Sequence, residues 1–212
     1  RLLTGGADLV ERTNPVVGMK AAKNAVEIAQ ALEVQLRSGA AKVRSFSHLT
    51  AMMAEGQPVS ELDYAILLER EYAAEDGFAD LSFNTISAFG PNGAIVHYGT
   101  PDPQAMLSPT GMLLVDSGIQ AAGATTDDTR TLSLGQTTAE QRHFYTAVLR
   151  GHIALARQVF PEGTNGQMLD TLARSALWNL GADFGHGTGH GVGAFLNVHE
   201  GPASISPRAI VP

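Results

Sequence analysis

Two short stretches decide how this sequence reads: Met112-Leu113-Leu114-Val115-Asp116-Ser117-Gly118, and, eleven residues on from Asp116, Thr125-Thr126-Asp127-Asp128-Thr129-Arg130-Thr131. The first is a compact apolar run that predicts a buried strand, and it delivers a carboxylate at its end. The second predicts another strand over Thr129 to Leu134. An acid placed after an apolar strand is costly to bury unless it is paired or bound to a cation. Two carboxylates on neighbouring strands of one hairpin can converge on a metal ion, where they supply negative charge and can bridge. Taken singly, Asp116 before Ser-Gly also reads as a turn residue, and Asp128 competes with Asp127 for the role of the acid.

A third stretch, His186-Gly187-Thr188-Gly189-His190-Gly191-Val192-Gly193, supplies imidazoles on a glycine-rich backbone that can approach a ligand closely. By itself such a segment could equally be a loop with structural histidines.

Working outward, the pattern predicts helices before these strands and after them. Ala22, Val26, Ala29, Leu32 and Leu36 form an apolar stripe over Met19 to Arg37, which Gly39 is expected to end. A second helical stretch runs from Ala40 to Met53. A third opens at Ser60 with Asp63 three residues on, a capping-box variant, and places Ile66, Leu67 and Tyr72 inward. Leu81 to Phe89 alternates like a strand, closed by Gly90-Pro91-Asn92-Gly93, and Ala94 to Tyr98 reads as a short second one. Two helices are expected over Thr138 to Phe160 and Asn165 to Leu180. From Gly181 onward the chain reads as glycine-rich and irregular. This succession is α+β. Residues 1–14 are expected to be a lead-in loop or the remnant of an interdomain linker, with one domain over residues 15–212.

Bulk properties narrow the functional classes. The chain has 212 residues, 44% of them hydrophobic and 17% charged, which suits one sizeable core. A net charge of −7 gives no reason to expect nucleic acid. No apolar run is long enough for a membrane span. There is no cysteine, so thiolate catalysis, thiolate metal sites and disulfides are excluded. Metal would be held by Asp, Glu and His, which suits Mn²⁺ or an oxygen-rich zinc site. A reducing compartment agrees with this, and the expected location is cytoplasmic.

Together, Asp116, the step to Asp127 and the His-Gly-Thr-Gly-His-Gly-Val-Gly run resemble the M24 metallopeptidase family, whose domain is the pita-bread fold. Gly90 through Tyr98, Asp127 through Thr131, Gly151-His152-Ile153-Ala154, Ala173 through Trp178 and Phe195 through Pro202 resemble its three-domain Xaa-Pro aminopeptidase branch. The resemblance runs from about Asn14 to the end.

The resemblance implies a pair of divalent ions, Mn²⁺ in the first place with Zn²⁺ or Co²⁺ as alternatives. Family members hold them with two Asp, one His and two Glu. Asp116, Asp127 and His190 match three of those ligands. Glu200 matches neither glutamate, and the pita-bread domain is expected to be incomplete at its C-terminus, with an unpaired sheet edge, poor stability and little activity of its own. The implied reaction releases the N-terminal residue of a peptide with proline second, by attack of a hydroxide bridging the two ions. His97, His186 and His199 match substrate-side histidines: His199 for proton transfer, His97 for contact with the substrate carbonyl, His186 for the proline-side pocket. Each could instead be a structural histidine. Phe83 and Tyr98 are expected to pack nearby, and His48, His143 and His152 read as ordinary helix residues. The resemblance also implies a homodimer. A prolidase-type dipeptidase and a non-catalytic pita-bread binding module are the alternatives.

Overall fold

A computed structural model describes residues 12–208; the expectations for residues 1–11 and 209–212 lie outside the described residues. The chain opens with α1 (Pro15–Ala21), whose first turn is capped by the Asn14 side chain accepting from the Val16 N–H. It continues in α2 (Ala25–Ala54), where Asn24 and Glu27 form a reciprocal capping box. The expected break at Gly39 does not occur. A helical glycine costs only about 1 kcal/mol, less than the packing of a thirty-residue helix returns.

The expected stripe on this helix faces outward: Val26, Leu32 and Leu36 are 70%, 65% and 76% exposed. The buried face is Val34, Ser38, Ala41, Lys42, Ser45 and Leu49. Small residues in its centre let the next elements approach closely, and the hydroxyls are satisfied; Ser45 Oγ lies 2.8 Å from the Tyr64 hydroxyl.

The helix α3 (Glu61–Ala73) carries the expected Ser60–Asp63 capping box. Its inner face is Tyr64, Leu68 and Tyr72, all fully buried, while Ile66 points outward at 38% exposure. The stretch expected as one strand over Leu81–Phe89 divides into β1 (Phe78–Leu81) and β2 (Ile86–Phe89), which belong to different sheets. The expected strand over Ala94–Tyr98 is absent. Gly90–Ala94 is a 3₁₀ turn, and the segment that follows is irregular. Glu61 ties this segment down instead: its buried carboxylate accepts from Phe89 N, Asn92 Nδ2, the Tyr98 hydroxyl and Asp102 N at 2.6–3.0 Å.

The remaining strands are β3 (Met112–Ser117), β4 (Ile119–Ala121), β5 (Ala124–Thr125) and β6 (Asp128–Ser133). One antiparallel sheet has the order β2-β3-β6, in which Asp116 faces Ile86 on one side and Thr129 on the other. A second has the order β1-β4-β5. The chain between the two acids is therefore a small hairpin excursion, turned at Ala122-Gly123, both with positive φ. Then come α4 (Ala139–Ala156) and α5 (Gly166–Trp178), packed so closely that Gly151 meets the Ala173 carbonyl. The tail expected to be irregular holds an antiparallel pair, β7 (Gly189–Gly191) and β8 (Glu200–Ile205). The class is α+β, with the core formed by α2, α3 and the inner faces of β3 and β4.

Candidate metal centre

A cleft of about 1450 Å³ contains all six candidate residues: His97, Asp116, Asp127, His186, His190 and His199. It lies where β3, β6 and β7 converge. A smaller cleft of about 660 Å³ between α4 and α5 holds none of them.

Asp127, His190 and His199 form the tightest group, with one donor atom from each lying within 4.8 Å of the others. His190 Nε2 is 3.1 Å from Asp127 Oδ2. Its other nitrogen, Nδ1, is 2.8 Å from the Gly191 carbonyl, an acceptor only, so Nδ1 carries the proton and donates. That assignment leaves the Nε2 lone pair facing the carboxylate side, the tautomer a metal-ligating imidazole needs. The His199 ring stands edge-on to His190 at 4.3 Å between centroids, and His97 lies 6.5 Å from His199.

Asp116 is the second acid of the cleft. Its Oδ1 is buried with no hydrogen-bond partner. An unpartnered carboxylate oxygen beside a second acid is unfavourable unless a cation is present. The same proximity is visible at Asp127, whose carboxyl pKa is pushed above the ordinary range by burial and then by the charge of Asp116; His190 and His199 oppose the shift. The orphaned oxygen, the paired acids and the oriented imidazole fit a divalent cation with oxygen and nitrogen ligands.

His186 lines the cleft but stands outside this group. Its Nδ1 is 2.7 Å from the Gly187 carbonyl, and its ring lies 4.8 Å from that of Phe184. Phe83 also lines the cleft, whereas Tyr98 is engaged with Glu61. Glu200 is turned away from the cluster and accepts from Lys23 and Lys20 at 2.5 and 3.1 Å.

Three residues that order the surroundings escape sequence reasoning. Glu61 looks like a first-turn helix acid, yet it holds the segment carrying His97, whose φ is +56°. Lys42 is a lysine in a helix with nothing nearby in sequence to mark it as buried. Arg174 donates to Asp170, to Asp183 and to the carbonyls of Phe184 and His186, and its guanidinium stacks 3.8 Å over the Phe184 ring. The step from Asp170 to Arg174 was the only available signal.

Comparison with known proteins agrees with this geometry. Metallopeptidase family M24 matches residues 19–211. The probable Xaa-Pro aminopeptidase P of Coprinopsis cinerea is 49% identical, the match covering 92% of this chain and 32% of that protein. Aminopeptidase P2 of Arabidopsis thaliana is 46% identical, with 92% and 28% covered. The chain thus spans about a third of the length of the curated relatives it matches. Among solved structures, the X-prolyl aminopeptidase of Caenorhabditis elegans, described as a cytosolic enzyme with a di-nuclear active site, superposes with a TM-score of 0.88 at 40% identity, covering 92% of this chain and 32% of that one. The X-Pro aminopeptidase of Thermotoga maritima superposes with a TM-score of 0.81 at 28% identity, covering 93% and 53%. The fold is the α+β pita-bread fold, and the chain belongs to metallopeptidase family M24.

Proposed function

We propose that the protein is a metal-dependent aminopeptidase that releases the N-terminal residue from peptides with proline in second position. The observation that carries the reading is the convergence of Asp127, His190 and the unpartnered Asp116 oxygen in one cleft, in a chain close to 50% identical to a protein called an Xaa-Pro aminopeptidase. Asp116, Asp127 and His190 would hold divalent metal, with Mn²⁺ as the favoured ion. When bound, divalent ions supply Lewis acidity and an activated water for peptide hydrolysis.

The remaining roles belong to the chain's own groups. His190 keeps its Nδ1 proton on the Gly191 carbonyl and presents Nε2. His199, next to it, is placed to move a proton toward the leaving amine. His97, across from His199, would contact the substrate carbonyl, and His186, beside Phe184, would shape the proline-side wall. Among the described residues only Asp116, Asp127, His190 and His199 bring metal-type donors to this cluster, so this chain by itself should bind Mn²⁺ weakly and cleave little. A cytoplasmic location and a homodimer complete the reading; the first is supported by the cytosolic C. elegans relative. No helix among the described residues is long and apolar enough to cross a membrane.

The test is an assay of the full-length gene product with Mn²⁺ on an Xaa-Pro-Xaa tripeptide, an Xaa-Pro dipeptide and a non-prolyl peptide. Mn²⁺-dependent cleavage of the tripeptide, lost in Asp127→Asn, supports the proposal. Cleavage of the dipeptide alone would favour the prolidase reading, which the TM-score of 0.80 to a Bacillus anthracis Xaa-Pro dipeptidase keeps in view. No cleavage of any of the three would favour a binding module.

A further inference from the structure

One buried cation stands behind the cleft and has no part in the chemistry above. Lys42, midway along α2, is 2% exposed. Its Nζ donates to Asp128 Oδ2 at 2.7 Å and to the Asp128 carbonyl oxygen at 2.6 Å. Burying an ammonium group is unfavourable without such partners. Burial accordingly pulls the Lys42 pKa down, while Asp128, and more weakly Asp116, resist.

One helical turn earlier, the fully buried Ser38 accepts a hydrogen bond from Thr126 Oγ1 at 3.2 Å. Ser38 and Lys42 are four residues apart and share the inner face of α2. That face therefore grips the residue before Asp127 and the residue after it. Thr126 is fixed further: its N–H donates to the Ile119 carbonyl, its Oγ1 accepts from the Ile119 N–H, and its carbonyl accepts from Ser82 Oγ. Asp127 itself turns the other way, with its carboxylate in the cleft against His190.

A plain structural ion pair is the competing explanation, and two features weigh against it. Asp128 has a second cation in reach, the exposed Arg130 at 3.7 Å, so its charge does not depend on Lys42 alone. Lys42 also holds the Asp128 backbone carbonyl, which charge balance does not require and which fixes the peptide beyond Asp127.

We propose that Lys42 is a positioning residue, which through the Asp128 carboxylate and carbonyl fixes the backbone that aims Asp127 into the cleft. The purpose of this aiming rests on the metal-site reading above; the aiming itself can be measured without metal.

The test compares the metal-free wild-type chain with Lys42→Met and with Lys42→Met/Asp128→Val at fixed pH. The readouts are amide exchange and the imidazole ¹⁵N resonances of His190. The double variant removes both charges, a change that is often near-neutral for stability, so it carries the test if the single variant fails to fold. In both variants the amides of residues 126–129 should exchange about tenfold faster or more, and the His190 Nε2 resonance should shift, with α4 and α5 unchanged. Mn²⁺ should bind the variants about 10–100-fold more weakly than wild type, the range for partners that orient a ligand. A folded double variant with wild-type His190 resonances and wild-type exchange at 126–129 would overturn the proposal. If the full-length gene product binds no Mn²⁺ while the His190 resonance still shifts, the metal reading fails and the positioning role stands.

Discussion

His190 Nε2 and Asp127 Oδ2 meet at 3.1 Å, and the opposite imidazole nitrogen is held 2.8 Å from the Gly191 carbonyl. His190 lies in β7 and Asp127 immediately precedes β6, so the contact exists only once the pair β7–β8 has docked onto the central sheet. The geometry makes each of them a donor that cannot be replaced locally. Asp127→Asn and His190→Ala should each weaken Mn²⁺ binding by more than the roughly 10–100-fold that outer partners cost. His143→Ala on α4 should leave binding unchanged. Isothermal titration of the three variants checks this, and equal affinity across them would remove both residues from the site.

Glu61 is a buried acid that serves four donors from the 89–102 segment. Glu61→Ala should cost about 3–5 kcal/mol, because the donors are left without an acceptor in a desolvated place. Glu61→Gln should cost less, since one oxygen remains. Urea unfolding of the two variants gives the order, and a loss below about 1 kcal/mol for alanine would contradict the role.

Arg174 uses a planar fork to reach two acids and two carbonyls, and a lysine cannot reproduce that fork. Arg174→Lys should therefore loosen residues 183–187, with amide exchange there rising about tenfold while α4 stays protected. Hydrogen exchange by mass spectrometry reads both regions at once.

Asp183 reports on the same cluster. Its pKa is held below the ordinary carboxylate value first by the Trp178 Nε1–H, then by Arg174 and the Phe184 N–H. A depressed pKa means that the interaction is fully present above the unfolded value of about 3.9 and is lost as pH falls through the lower, folded value. Emission from Trp178, the single tryptophan, should stay constant from neutral pH to about 4 and change only below that. Asp183→Asn should abolish the acid transition. A transition between pH 5 and 6 in wild type would show a different group in control.

Gly151 faces the Ala173 carbonyl across the α4–α5 contact, where an added Cβ would overlap backbone. Alanine favours a helix over glycine by about 1 kcal/mol, yet overpacking costs about 1–3 kcal/mol. Gly151→Ala should thus lower the melting temperature. Gly39→Ala, with open space at the same atom on α2, should raise it. Differential scanning calorimetry of the pair decides the sign.

Much of this was legible in the sequence because it depends on local chemistry. The Ser60–Asp63 capping box, the apolar run into Asp116 and the two helices after Thr138 are set by neighbours within a few residues, and all are present. Asp116, Asp127 and the histidine segment were legible as a set, and the structure brings all six candidate residues to one cleft. The orientation of α2 was not legible. Its apolar stripe stays exposed, and the face that buries is half polar, with Ser38, Ala41 and Ser45 small enough to admit the neighbouring elements.

What the sequence alone determined is the α+β class, the family and the acids and imidazoles of the cleft. What only the tertiary structure decided is how they are held. It separates β1 from β2, replaces an expected strand with loops bonded to Glu61, and forms β7 and β8 from a glycine-rich tail. It also sets Lys42 behind Asp127 and Arg174 behind His186. The strand pairings join segments distant in sequence, and the Glu61, Lys42 and Arg174 contacts are buried polar groups finding partners, a requirement that burial imposes and that no local pattern records.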